Sequence, residues 1–201
     1  MRTICLRGFE LARLIDVAPD TVAAALDHPL VTRWVGCPYT RYRMRQARDL
    51  DGDSLTLVIY DSEGVAGTVG LLPYEGDPAY LETTTFLVPR RFGSGLNRTA
   101  KVIQWSLGLM FDRPLLASVN ADNGRSRASM RKLYPQGSEQ HVFEPWEPRQ
   151  AVLFPIGGPP YGERSLDQDE QEAVRTLLGD HPALKRLKKT PVDERAPSLA
   201  R

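Results

Sequence analysis

The stretch Pro89-Arg-Arg-Phe-Gly-Ser-Gly-Leu-Asn-Arg-Thr-Ala-Lys101 carries the residue types best suited to hold an anion. It joins a β-rich run to a helical run. A strand, a glycine-containing turn and a helix start gather free backbone N–H groups at the positive end of a helix dipole, an arrangement that suits phosphate. Gly93 and Gly95 accept positive φ without strain and let a ligand approach the main chain. Arg90 and Arg91 stand beside them as charge-assisted donors. A plain strand-to-helix turn would use the same glycines, and the two arginines could equally be solvated surface charge. No GxxxxGK[ST] occurs, which excludes a P-loop, and no GxGxxG follows a first βα unit, which excludes a dinucleotide fold. Cys5 and Cys37 have neither CxxC spacing nor a His/Cys cluster around them, so no metal site and no disulfide framework is expected.

The chain that must position this segment has 201 residues, 41% hydrophobic and 25% charged, the balance of an ordinary globular protein able to bury a core. A net charge of +1 gives no global field towards nucleic acid or a membrane surface. The N-terminus lacks the apolar core of a signal peptide, and no 18-residue apolar run occurs. A soluble, cytoplasmic protein is the expectation.

Residues 3 to 15 read as one strand with an irregularity at Gly8. Pro19-Asp-Thr opens a short helix. Residues 29 to 50 read as one or two further short helices, broken around Gly36 and Pro38 and rich in arginine and aromatics. Three strands in a meander follow, LTLVIYD, VAGTVGLLPY and AYLETTTFLV, punctuated by Ser62-Glu-Gly64 and Glu75-Gly-Asp-Pro78. After the glycine segment, LNRTAKVIQWSLGLMF has helical periodicity. PLLASVNA then reads as a buried strand and SRASMRKLY as a helix, for which Asn123 and Ser126 are natural caps. GSEQHVFE and QAVLFPI are the last of seven strands, separated by the Pro/Trp-rich loop EPWEPR. Past Gly157 the composition changes. A GGPPYGE linker leads to a capping-box pattern at Ser165-Leu-Asp-Gln168, an amphipathic helix and a basic, Pro-containing tail.

In this context the Arg90-x-x-Gly93-x-Gly95 loop resembles the pyrophosphate loop of the GCN5-related N-acetyltransferases (GNAT). Asn123-x-x-Ser126 followed by Met130-Arg-Lys132-Leu133 resembles a stretch of the branch that acetylates ribosomal-protein alanine, as does the early HPLVTRW. The resemblance covers roughly residues 2 to 157. It implies an α/β fold with a mixed, mostly antiparallel seven-stranded sheet, splayed at its middle and with helices on both faces. Residues 1–157 would form the acyltransferase domain, and 158–201 a linker, helix and flexible tail.

The resemblance further implies acetyl-CoA as co-substrate and direct transfer of an acyl group to an amine. Backbone amides from Arg91 through Phe92, Gly93, Ser94 and Gly95 to Leu96, with Arg90 and Asn97 beside them, would hold the pyrophosphate. Phe86, Leu87 and Val88 would pair with the pantetheine arm, and Asn123 and Ser126 would lie near the thiol. Many family members place a tyrosine acid where this chain has Met130; Ser126 is then the candidate for stabilising the thiolate. Glu82 and His141 are candidate bases, although Glu82 also reads as a cross-strand partner and His141 as a half-buried histidine. Trp34, Tyr39 and Tyr42 are candidates for lining the acceptor site, or for an ordinary helix surface. The alternatives are a non-catalytic acyl-CoA-binding module, or a donor such as a longer acyl-CoA or an aminoacyl-tRNA; the last would need a basic groove, for which the Arg33–Arg48 run is the only candidate. Membrane contact is not expected. The C-terminal helix is either a packed appendage or a homodimer contact.

Overall fold

Arg7 and Gly8 both take positive φ, 50° and 80°, a backbone twist that folds the N-terminal run back on itself. The expected single first strand is therefore two, β1 (Thr3–Leu6) and β2 (Phe9–Arg13), paired antiparallel around that turn. A computed structural model of the protein describes residues 2–144 and 149–187; the centre of the Pro/Trp-rich loop and the basic tail lie outside them.

A 3₁₀ turn leads into α1 (Pro19–Leu26), α2 (Pro29–Val35) and α3 (Pro38–Asp51), each with proline in its first turn, where a missing N–H costs nothing. The meander follows as β3 (Leu55–Asp61), β4 (Gly64–Tyr74) and β5 (Asp77–Leu87). Next come α4 (Leu96–Phe111), β6 (Leu115–Asn120), α5 (Gly124–Leu133), β7 (Gln140–Glu144), β8 (Arg149–Ile156), α6 (Gln168–Leu178) and the short α7 (Ala183–Arg186). The eight strands form one sheet in the order β1-β2-β3-β4-β5-β6-β8-β7. All neighbours are antiparallel except β5 and β6. The eighth strand is the product of the early hairpin.

The β5–β6 contact positions the site. These strands pair only at Leu81↔Leu115 and Glu82↔Leu116 and then diverge. Beyond that point β5 keeps β4 on its outer side, and Ala117 to Asn120 of β6 keep β8. The sheet thus opens into a V with an unpaired strand edge on each arm.

Two apolar layers fix which face each helix covers. Leu55, Leu57 and Ile59 of β3 pack with Val102, Ile103 and Leu107 of α4, Met130 and Leu133 of α5, and Val174 and Leu177 of α6. Val58, on the opposite parity, packs with Val22, Val31 and Tyr42 of α1 to α3. The capping box of α6 is made by Asp167 and Glu170, two residues later than the sequence pattern suggests. Ser165 instead accepts a hydrogen bond from Trp105 Nε1 at 3.2 Å, which ties the linker to α4.

Candidate active site

A cavity of about 1340 Å³ fills the V. Its geometry follows from the alternation of side chains along β5. Thr83 and Thr85 face α4: Thr83 Oγ1 accepts from Lys101 Nζ at 3.1 Å, and Thr85 Oγ1 donates to Gln104 Oε1 at 3.3 Å. Thr84 and Phe86 face α3: Thr84 Oγ1 accepts from Arg45 at 3.1 Å, and the Arg41 guanidinium lies 5.3 Å from the Phe86 ring centre. Glu82 shares the parity of Thr84 and lines the same cavity. The opening therefore passes through the sheet, with the α4/α5 layer on one side and α3 on the other.

On the α4 side the glycine segment is a 3₁₀ turn, Pro89–Arg91, followed by the helix start. Gly93 and Gly95 take φ of 79° and 87°, and a Cβ at either would meet nothing within 4 Å. Glycine is needed here for backbone conformation, and the space above it is open to a ligand. Among the described residues the amides of Gly93, Gly95 and Asn97 find no backbone acceptor. The Leu96 amide reaches Ser94 Oγ at 3.4 Å. These N–H groups sit at the N-terminus of a sixteen-residue helix, where the dipole adds to their affinity for an anion.

The two arginines of the segment have different surroundings. Arg90 pairs with Asp61 at 2.9 Å and Glu63 at 3.2 Å and does not line the cavity. Arg91 pairs with Asp61 at 2.6 Å and does line it. Against the opposing effect of its burial, the Glu63 amide and then the two guanidinia hold the Asp61 carboxyl below its ordinary range. Arg125, at the start of α5, stacks 4.4 Å from the Phe92 ring centre and brings a further cation to the rim.

The cap of α5 places Asn123 and Ser126 at the cavity wall. Asn123 Oδ1 accepts from the Ser126 amide at 3.2 Å, so the asparagine shapes the turn that presents the serine. Among the described residues the Ser126 hydroxyl has no hydrogen-bond partner of its own. Asn97 Nδ2 donates to Ser129 Oγ at 2.8 Å and holds α4 and α5 together beneath the loop. Met130 is buried and lines the cavity, and Tyr134 is buried in the core.

Three of the candidate base and acceptor-site residues lie away from the cavity. Tyr42 is fully buried, its hydroxyl 3.2 Å from Thr68 Oγ1, and burial pushes its pKa up to about 12. Tyr39 points outward, where its hydroxyl accepts from Arg43 at 2.7 Å. His141 is exposed, on the parity of Phe143 and opposite to Val142 and Glu144. Of the three aromatic candidates only Trp34 lines the cavity. Phe86, Leu87, Phe92 and Asn97 also line it, whereas Val88, Ser94 and Leu96 do not.

Sequence reasoning missed Lys101, Gln104 and Glu144. Lys101 is buried at the cavity wall, and that burial brings its ammonium down to about pKa 7 against the opposing pull of Glu82. Gln104 Nε2 donates to the Gly70 and Thr84 carbonyls at 2.9 and 2.8 Å and pins β4 and β5 at the mouth of the V. Glu144, the last residue of β7, accepts from Ser118 Oγ at 2.7 Å on the far arm. Polar residues on the inward stripe of an apolar helix were the available signal for the first two; Glu144 lay beside a loop that hid its parity.

No family model matches the chain, and no curated protein matches it. Solved structures do. A structure described as an acetyltransferase from T. thermophilus is 21% identical with a TM-score of 0.58, over 78% of this chain and 89% of that one. The ribosomal-protein-S5-alanine acetyltransferase from Vibrio fischeri gives 12%, 0.53, 78% and 96% in the same order. A GCN5-related N-acetyltransferase from Brucella melitensis gives 17%, 0.52, 77% and 78%. The chain has the GNAT acetyltransferase fold: a mixed, mostly antiparallel α/β sheet opened at its one parallel pair.

Proposed function

We propose that the protein is an acyl-CoA-dependent N-acyltransferase that moves acetyl from acetyl-CoA directly to an amine. The observation that carries this reading is the junction of three features at one cavity. These are the free β5 edge, the unpaired amides at the α4 N-terminus, and the Asn123-presented Ser126 hydroxyl on the facing helix. The acceptor is a small-molecule amine or the amino group of a protein N-terminus, and the near-neutral net charge favours the small molecule.

In this reading acetyl-CoA supplies an activated acyl group, and the chain does the rest. The amides of Gly93, Gly95 and Asn97 bind the pyrophosphate, with Arg91 and Arg125 adding charge. The exposed edge of β5 from Thr83 to Leu87 pairs with the pantetheine amides as an added strand would. A backbone N–H of the same edge stabilises the oxygen of the attacked carbonyl. Glu82, on the α3 side, accepts the proton that the amine must lose. The C–N bond forms on addition and the C–S bond breaks on collapse of the adduct; Ser126 donates a hydrogen bond to the departing sulfur, which takes up the proton that Glu82 gives back through solvent, so none is consumed overall.

The test has two measurements. Calorimetry should show CoA binding, and free-thiol release from acetyl-CoA should require an amine. Ser126→Ala should lower turnover about 10²-fold while leaving CoA affinity nearly unchanged. CoA binding without thiol release on any amine would instead favour a non-catalytic acyl-CoA-binding module, a second reading that Met130 at the usual tyrosine position motivates.

A further inference from the structure

The α3 wall of the cavity carries Arg41, Arg45 and Arg48, at i, i+4 and i+7, which puts all three on one helical stripe. None forms an ion pair with a carboxylate among the described residues, unlike Arg90 and Arg91, which share Asp61, and Arg98, which pairs with Glu163. Arg45 donates to Thr84 Oγ1 at 3.1 Å, and burial lowers its pKa. Arg41 commits Nε to the Val35 carbonyl at 2.9 Å and lays its plane near Phe86, leaving its outer nitrogens for a ligand. Arg33, on Trp34, adds a fourth guanidinium at the rim. The Asp49 carboxylate behind Arg45 is already engaged by Ser54 Oγ and by the Thr56 amide at 2.8 Å. Glu75 and Glu82 line the same cavity, Glu82 on the arginines' own face, and Glu144, bonded to Ser118, lines it on the far arm.

The parity of β5 separates this cluster from the anion-binding amides. Arg41 and Arg45 meet Phe86 and Thr84 on the α3 face, where Phe92 of the glycine loop also packs, while the amides that follow it open α4, which packs on the opposite face. No carboxylate forms an ion pair with these arginines among the described residues, and only Glu82 and Asp49 act on Arg45 from a distance. Arg45 contacts Thr84, and Glu82 stands two residues along the same strand face, a step of about 7 Å. The wall thus offers a site for negative charge a few atoms away from the carboxylate that would receive an amine proton. It would repel a polycation.

We propose that the acceptor is a primary amine that also carries a carboxylate or phosphoryl group, and that Arg41, Arg45 and Arg48 bind that group on the α3 wall. The proposal rests on the acyltransferase reading for the role of the amine. The contact itself rests on the arginine stripe. Arginine is suited to both anions because its fork matches two oxygens at once.

The experiment is a calorimetric titration of matched probes into the full-length protein, with and without saturating CoA. The pairs are 4-aminobutyrate against 4-aminobutanamide and 3-aminopropyl phosphate against 3-aminopropanol, which separate the carboxylate from the phosphoryl source. In at least one pair the charged member should bind about 10-fold or more tightly than its neutral partner. Arg48→Gln and Arg41→Gln should each erase most of that preference while leaving the neutral member and CoA unaffected. Equal binding within both pairs, tighter binding of spermidine, or a preference that survives both substitutions overturns the proposal. Failure of CoA to bind would instead refute the acyltransferase reading, and the probe titrations without CoA would still decide the arginine wall.

Discussion

At the scale of single residues, Gly95 and Lys101 show how differently two cavity positions are constrained. At φ 87° the glycine permits a conformation that asparagine tolerates and glutamate does not, and glutamate would also place a negative charge at the helix N-terminus. Gly95→Asn should retain CoA binding within roughly tenfold, whereas Gly95→Glu should abolish it with circular dichroism unchanged; calorimetry distinguishes them. Lys101 is a buried amine whose ammonium form burial disfavours. Its pKa in the folded state lies below its unfolded value of 10.5, so the unfolded chain takes up the proton first as pH falls. The stability lost to this group therefore grows as pH drops from about 10 to about 7, then levels off. Lys101→Met should raise the midpoint of chemical denaturation most at pH 6 to 7, and the gain should fade by pH 10.

Asp49 works in the opposite sense. Burial raises its carboxyl to about 6, against the bonds from Ser54 and Thr56 that favour the charged form. Its contribution to stability is full below its unfolded pKa near 4 and declines as pH rises through 6. Asp49→Asn should flatten the dependence of the unfolding midpoint between pH 4 and 7. None of these three environments is visible in a linear sequence. The glycine pair is legible because a turn residue before a helical run has few other uses, but a lysine on an otherwise apolar helix face does not announce what encloses it.

At the scale of elements, β3, β4 and β5 are legible because β-branched runs are punctuated by Asp, Glu and Gly turns. The β1–β2 hairpin is not, since Arg7 is an unusual residue to take positive φ and two strands of four and five residues look like one run. The cap of α6 also escapes pattern reading, because Ser165, Asp167 and Glu170 can be fitted in more than one register. Tertiary structure selects one by giving Ser165 to Trp105. Asp167 accepts from the Glu170 amide at 3.0 Å, and the Glu170 side chain is bonded in turn by Arg7 at 3.0 Å. Asp167→Ala should lower stability by about 1 kcal/mol in urea unfolding, as for other N-cap deletions. A loss well below that would mean that Arg7 alone holds the helix start. The acceptor side divides in the same way: composition singles out residues 33 to 48, but only helical phase separates Arg41, Arg45 and Arg48 on the cavity from Tyr39 and Arg43 outside it.

At the scale of the whole molecule, the ladder of backbone hydrogen bonds is nearly interrupted where β5 and β6 part after two residue pairs. What continues across the gap is the apolar layer, in which Leu81, Ile103, Leu115, Ala117, Val152 and Phe154 belong to one buried cluster. The two blocks of sheet are thus joined mainly by side-chain packing. Amide hydrogen exchange should read this directly. The inward-facing amides of β5 beyond Glu82 should exchange fast for a strand in the middle of a sheet, and should become protected when CoA is added. Meanwhile the β1–β5 and β6–β8 blocks should exchange with separable opening free energies that converge only in the deepest amides. A single opening energy throughout would mean that the apolar layer transmits unfolding as fully as a continuous ladder does.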